Sequence, residues 1–214
     1  MRCWRRGLAE RRAAEYITLM TETDISGAPQ QNWLTGQVLL AMPSLRDSRF
    51  SQSVIFICAH NEDGAMGLVL NRMLRRPRFG DLLQQLGVEP HPPQRNLPMG
   101  QGGPVEDHRG FVLHSADWMS EGSLDVDGAH VLSASMEVLQ AVASGGGPRQ
   151  ARLLLGYAGW GAGQLEDEIW RNSWLTTGAD EEIIFDTGYQ SKWQRAMAKL
   201  KIDPGMLSGD AGHA

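Results

Sequence analysis

Ser53-Val-Ile-Phe-Ile-Cys-Ala-His60, Asn61-Glu62-Asp63-Gly64 and Ala65-Met-Gly-Leu-Val-Leu-Asn71 form one continuous stretch. Two apolar, β-rich runs flank a four-residue polar segment that ends in Asp-Gly. That order predicts a β-hairpin, because Asp-Gly supplies the backbone a tight reversal needs. Upstream, Gly36–Met42 (GQVLLAM) reads as a short buried strand closed by Pro43. Downstream, Phe79–Leu86 reads as a helix ended by Gly87, and the proline- and glycine-rich 91–104 stretch as loop or edge structure. A strand is expected at Gly110–Ser115, and another over Ser123–Ser133 with a turn at Asp127-Gly128. Ser135–Ala143 reads as a helix broken by Ser144-Gly-Gly-Gly-Pro148. Then come a strand at Ala151–Ala158, an amphipathic helix at Gln164–Leu175, a short strand at Glu182–Phe185 and a helix at Trp193–Lys201.

A hairpin group comes first, and strands alternate with helices only later. The expected fold is therefore α+β: a single compact domain over 32–214 with a mixed, largely antiparallel or barrel-like sheet flanked by helices. Residues 1–31 begin with Met-Arg-Cys-Trp-Arg-Arg and carry polar, Gly and Pro residues after Met20, which reads as a poorly ordered or helical basic extension. No apolar stretch suits a secretory leader or a membrane span, so no membrane association is expected.

The chain has 214 residues, 42% of them hydrophobic and 21% charged, as in ordinary globular proteins. Its 25 glycines and its seven Trp against three Tyr are less ordinary. Twenty basic residues against 25 acidic ones give a net charge of −5, which argues against nucleic-acid binding by the main domain. Cys3 and Cys58 form no CxxC pair and no disulfide framework, which fits a reducing cytoplasm.

Three constellations could carry chemistry. Gly156-Tyr-Ala-Gly159-Trp-Gly161-Ala-Gly163 reads as a strand running into a glycine-rich loop before a helix, the context of a phosphate cradle. Gln164 stands where a dinucleotide fingerprint needs glycine, and Glu166, Asp167 and Glu168 would repel an anion from the first helical turn. Tight strand-to-helix packing around Trp160 is the preferred reading. The second constellation is a pair of strands ending in His60 and His114. Period-two alternation places Cys58 and His60 on one face. Were the strands neighbours, His60 and His114 with Glu62 or Ser115 would suit a metal site or a general base. No third ligand at a recognised spacing completes a metal site, so no metal and no cofactor is expected. The third is Gln101-Gly102-Gly103-Pro104 before Glu106-Asp107-His108-Arg109, a special backbone path that reads as a turn or bulge.

Taken in order, GQVLLAMPSLRDSRFSQSVIFICAHNEDGAMGLVLNR, GGPVEDHRGFVLHS, LLLGYAGWGAGQLEDEI and LKIDPGMLSGDAGHA resemble the YqgE/AlgH family of bacterial proteins from about Leu34 to Ala214. One departure is that Met73 follows Asn71-Arg72 where the family commonly has proline; here proline comes at Pro77. The resemblance implies a compact α+β fold, a bacterial cytosolic setting and no established activity, under a label of transcriptional regulator. No helix-turn-helix pattern supports direct DNA contact.

The expected function is a cytoplasmic binding or regulatory protein. Its candidate surface is Arg49, His60, Asn61, Glu62, Asn71, Arg72, Gly102, Gly103, Pro104, His114, Ser115, Tyr157, Gly159, Trp160, Gly161 and Glu166. The alternative is a hydrolase or metal-assisted enzyme using His60, His114 and Glu62. A protein partner fits the first reading, and the oligomeric state stays open. Trp160, Trp170, Trp174 and Trp193 are candidate interface anchors, with burial in the monomer the expected fate of most of them.

Overall fold

The computed structural model describes residues 34–89, 91 and 95–203. The expected extension at 1–31 and the motif residues 204–214 lie outside them. Nine strands and five α-helices stand among the described residues. They are β1 (Gln37–Ala41), β2 (Val54–Asn61), β3 (Gly64–Val69), α1 (Phe79–Leu86), β4 (Met99–Gln101), β5 (Val105–Ser115), β6 (Leu124–Asp125) and β7 (His130–Ser133). They continue with α2 (Met136–Ala143), β8 (Ala151–Gly161), α3 (Gln164–Trp170), β9 (Trp174–Gly178), α4 (Glu181–Phe185) and α5 (Lys192–Lys199). The fold is the expected α+β. A curled sheet runs β6-β7-β5-β8-β3-β2-β1-β9, every pairing antiparallel, and the short β4 adds the one parallel contact, on β8.

The hairpin stands as predicted. Asn61 pairs with Gly64, so Glu62 and Asp63 form the turn. Gly64 is needed there, because a Cβ would overlap the Trp160 carbonyl oxygen. Helix α1 ends at Gly87, whose φ of +70° lets its amide and that of Val88 close on Gln84 and Leu83.

Strands β1, β2 and β3 are covered on both faces, so they are apolar on both sides. On the concave face, Val38, Leu40, Phe56, Leu68, Phe111, Leu113 and Leu154 pack under α4 and α5 through Ile183, Ile184, Trp193 and Met197. The convex face carries two cores. Leu39, Ile55, Ile57, Trp160 and Trp174 gather under Leu165 of α3. Val112 and Leu153 gather under Phe79 and Leu83 of α1 and Val138 and Val142 of α2.

Four expectations need correction. Strand β8 does not stop at Ala158 but runs through the glycines to Gly161, so that segment is no loop. Gly156 serves a backbone crossing: it has φ +69°, and Cβ atoms on Gly102 or Gly103 would overlap the β8 backbone at Gly156 and Tyr157. The Gln164–Leu175 helix ends at Trp170, and Trp174 and Leu175 belong to β9. Glu181–Phe185 is helical rather than strand, started by Asp180, whose carboxylate accepts the Ile183 amide at 2.7 Å. Finally, Cys58 and His60 do not share a face. A bulge between Ile57 and Ala59 resets the alternation, sending Cys58 into the concave core and His60 toward α3.

Candidate functional site

The end of the β2–β3 hairpin and the start of α3 bring the most polar chemistry together. His60, the last buried residue of β2, places its Nε2 2.6 Å from Oε1 of Glu166. The imidazole is 1% exposed and the Glu166 side chain 37%, so the ring forms the floor and the carboxylate the accessible rim. Glu166 is the third residue of α3, where a negative charge also suits the helix dipole. Two residues on, Glu168 turns inward. Its Oε2 accepts the indole N–H of Trp160 at 3.0 Å and of Trp174 at 2.7 Å. Its Oε1 accepts Gln164 Nε2 at 2.9 Å, while Gln164 Oε1 takes the Gly161 amide at 3.1 Å. The two indoles meet edge to face at 5.9 Å, and Phe50 meets Trp174 the same way. A seven-residue helix is marginal alone; here two carboxylates pin it to β2, β8 and β9.

The outer surface of this corner is acidic and carries one indole. Glu62, Asp63 and Asp167 are exposed beside the half-exposed Asn61 and Glu166. Trp170, one turn after Glu166, is 83% exposed, whereas Trp160, Trp174 and Trp193 are buried as expected. The role of Glu168 is not visible in the sequence until the second indole is known to return on β9. The signal available was the Trp excess and the Gln164–Glu168 spacing of one helical turn.

The other expected site residues lie elsewhere. At the opposite end of the β2–β3 hairpin, Asn71 Oδ1 accepts the Val54 amide at 3.0 Å and its Nδ2 donates to the Gln52 carbonyl at 2.8 Å. Arg72 donates to the Ser51 carbonyl at 2.6 Å, and Arg49 forks onto Asp47. These residues tie a turn in place. Gly102, Gly103 and Pro104 pass under Tyr157 in mid-sheet, and Gly159 and Gly161 lie along β8 itself.

The metal-assisted pairing of His60 with His114 is overturned by the topology. Strands β3 and β8 separate β2 from β5. His60 aligns through Ala65 with Trp160, and His114 with Ala151, nine residues away on β8 and on the order of 30 Å along the strand. His114 is fully buried. Its Nδ1–H donates to the Ser115 carbonyl at 3.0 Å, and its Nε2 accepts the Ser133 hydroxyl at 2.8 Å. Burial holds it below its ordinary pKa, so it is a neutral structural group. Ser115 donates to Asp117, a hydrogen bond that keeps that carboxyl below its usual range. Glu62 sits at the hairpin turn, away from His114. Among the described residues no group of three His, Cys, Asp or Glu gathers as a metal site would require. No described helix is long and apolar enough to cross a membrane.

The AlgH-like family model matches residues 38–205, nearly all of this sheet and its helices. The chain belongs to the AlgH-like family. A UPF0301 protein of Gluconobacter oxydans is 52% identical over 183 residues, covering 85% of this chain and 98% of the relative. One from Rhodospirillum rubrum is 49% identical over 184 residues, covering 86% and 96%. The solution structure of the AlgH protein from Pseudomonas aeruginosa superposes with a TM-score of 0.68 at 38% identity, over 89% of this chain and 100% of that one. A crystal structure from Corynebacterium diphtheriae, 20% identical, shares the fold with a TM-score of 0.60 over 89% and 96%. In this AlgH-like chain, Met73 at the position after Asn71-Arg72 bridges to Gly100 and is 54% exposed. The bridge is made by the Leu74 amide on the Met99 carbonyl and the Gln101 amide on the Arg72 carbonyl, so it does not use the Met73 N–H.

Proposed function

We propose that this chain is a cytoplasmic binding or regulatory protein that engages a protein partner at the corner formed by α3 and the β2–β3 hairpin. The observation that carries the reading is Trp170. A large indole held 83% in water on a helix that its neighbours pin in place packs against little among the described residues. Exposed Trp on a rigid element is the residue type that dominates binding energy at interfaces. The rim of Glu62, Asp63, Glu166 and Asp167 sets the partner's chemistry as a basic segment, with a guanidinium suited to stacking on the indole. The same acidity and the net charge of −5 count against direct DNA contact, so regulation would run through a protein.

A photo-crosslinking residue at position 167, introduced in the native bacterium, tests this. A discrete crosslinked protein is expected, lost on Trp170→Ala and absent when the probe stands at Met119, an exposed residue far along the chain. An identical crosslink with and without Trp170 would overturn the reading.

A further inference from the structure

The loop from β3 to α1 reads Arg72-Met-Leu-Arg-Arg-Pro-Arg78, four arginines in seven residues with no acidic residue among them. All four are exposed. Arg72 donates to the Ser51 carbonyl at 2.6 Å, whereas the Arg75, Arg76 and Arg78 guanidinium groups meet no acceptor and no carboxylate among the described residues. The backbone beneath them is fixed. The Leu74 amide donates to the Met99 carbonyl at 2.9 Å, the Gln101 amide to the Arg72 carbonyl at 2.8 Å, and Leu74 packs onto the core under α1 and α2. Asp81, the first carboxylate downstream, accepts the Arg78 amide at 2.9 Å. Beside the loop, where Asn71 and Arg72 bond to Gln52 and Ser51, residues 42–53 add exposed Arg46, and Arg49 with its partner Asp47. Six arginines against Asp47 and Asp81 leave this end of the sheet four charges positive, in a chain that carries −5 overall.

Met73 stands within this run of cations and is 54% exposed. An apolar side chain among cations suits the boundary of a lipid layer, where it enters the headgroup region while the cations meet phosphate. Arginine fits that task, because its planar fork takes two phosphate oxygens at once. A nucleic acid is a poorer match: the loop holds no aromatic residue on which a base could stack, and Phe79 after it is buried. From this we infer that the Arg72–Arg78 loop docks on an anionic phospholipid surface, with its guanidinium groups on lipid phosphates and Met73 among the headgroups. No described helix is long and apolar enough to cross a bilayer, and surface docking needs none. The acidic residues Glu62, Asp63 and Glu166 sit at the far end of the hairpin. The eight residues of β2 set them on the order of 25 Å away. At physiological salt the Debye length is about 8 Å, so the acidic end does not oppose docking. The charge separation instead orients the chain, with the basic loop toward the lipid and Glu166 away from it.

Co-sedimentation of the full chain with sucrose-loaded vesicles tests the docking, using phosphatidylcholine alone and a mixture with about one third phosphatidylglycerol at about 0.1 M salt. Each arginine near an anionic surface strengthens binding about fivefold, so four of them give half-binding near 1 mM accessible lipid, to order of magnitude about that value. Pure phosphatidylcholine should pellet none of the chain, and about 0.5 M salt should release it from the mixture. Arg75→Gln with Arg76→Gln removes two exposed charges and should weaken binding roughly 25-fold with unchanged circular dichroism. Met73→Ser should weaken it a few-fold while keeping its salt dependence. Trp170→Ala should bind the vesicles as wild type does, which separates this docking from any contact at the α3 corner. A chain that stays in the supernatant with the anionic vesicles would overturn the inference. Binding that survives the double substitution would place the contact on another basic segment, such as residues 1–12, and overturn it equally. So would tighter binding, through the same two arginines, to a single-stranded RNA, which would assign the loop to nucleic acid.

Discussion

Removing the Glu168 carboxylate should loosen the whole α3 corner. In Glu168→Ala, the Trp160 and Trp174 indole N–H groups both lose their acceptor, at 3.0 and 2.7 Å in the native protein, and both rings are buried. A hydrogen bond to a charged group contributes about 1.5–3 kcal/mol net. The carboxylate is only half-buried and the two bonds share one oxygen, so about 2–4 kcal/mol is expected for the pair together. For a domain of this size, that lowers the melting temperature by roughly 5–15 °C. Glu168→Gln keeps an amide oxygen for the two indoles but loses the charge and sets its N–H2 against that of Gln164, forfeiting that hydrogen bond, so it should cost about 1–2 kcal/mol. Urea unfolding followed by tryptophan fluorescence reads both variants, with near-ultraviolet circular dichroism reporting the indole packing. Glu168→Ala within about 0.5 kcal/mol of wild type would refute the claim that this carboxylate pins the helix.

Other predictions follow from the same structure. Trp170→Ala should change stability by less than about 0.5 kcal/mol in thermal unfolding, because the ring is almost wholly in water. Gly103→Ala should cost more than about 3 kcal/mol or prevent folding, since its Cβ overlaps the Tyr157 backbone; Gly80→Ala, with open space and a helical setting, should stabilise by about 0.5–1 kcal/mol in the same assay. Burial depresses the His114 pKa, so as pH falls from 7 to 5 the unfolded chain takes up a proton that the folded chain refuses. Stability should fall over that window, and Glu or Asp titration adds to it only at lower pH. Urea titrations at pH 7, 6 and 5 should show a shallower decline for His114→Gln, and an unchanged decline would rule out this source.

The elements legible in the sequence are those whose local signals agree with their tertiary setting. The hairpin at 53–71 has matching runs and an Asp-Gly turn, and α1 has a glycine where its left-handed cap falls. The last three residues of β8 were hidden because glycine ordinarily marks a loop, whereas here Gly159 and Gly161 continue the ladder opposite Met66 and Gly64. Helix α4 was hidden because Ile183 and Ile184 favour strands, and a single capping carboxylate from Asp180 outweighs them. The face of His60 turned on one inserted residue at the β2 bulge, which alternation cannot register. The candidate site divides in the same way. His60 and Glu166 do meet, but Trp160 bonds to Glu168, and Asn71, Arg72 and His114 answer to turns and buried hydrogen bonds that only the folded chain defines.

Strand β8 meets β3, β4 and β5 at once, yet it begins at residue 151. During synthesis the β1–β3 meander and the strands β5 to β7 are therefore complete before the strand that joins them leaves the ribosome. Until then each half shows an unpaired edge and an uncovered apolar face to the cell, for seconds at bacterial elongation rates. The glycine-lined crossing at Gly102, Gly103 and Gly156 thus also acts as a late-closing clasp, and a nascent chain stalled before residue 161 would be a client for chaperones rather than a half-built domain.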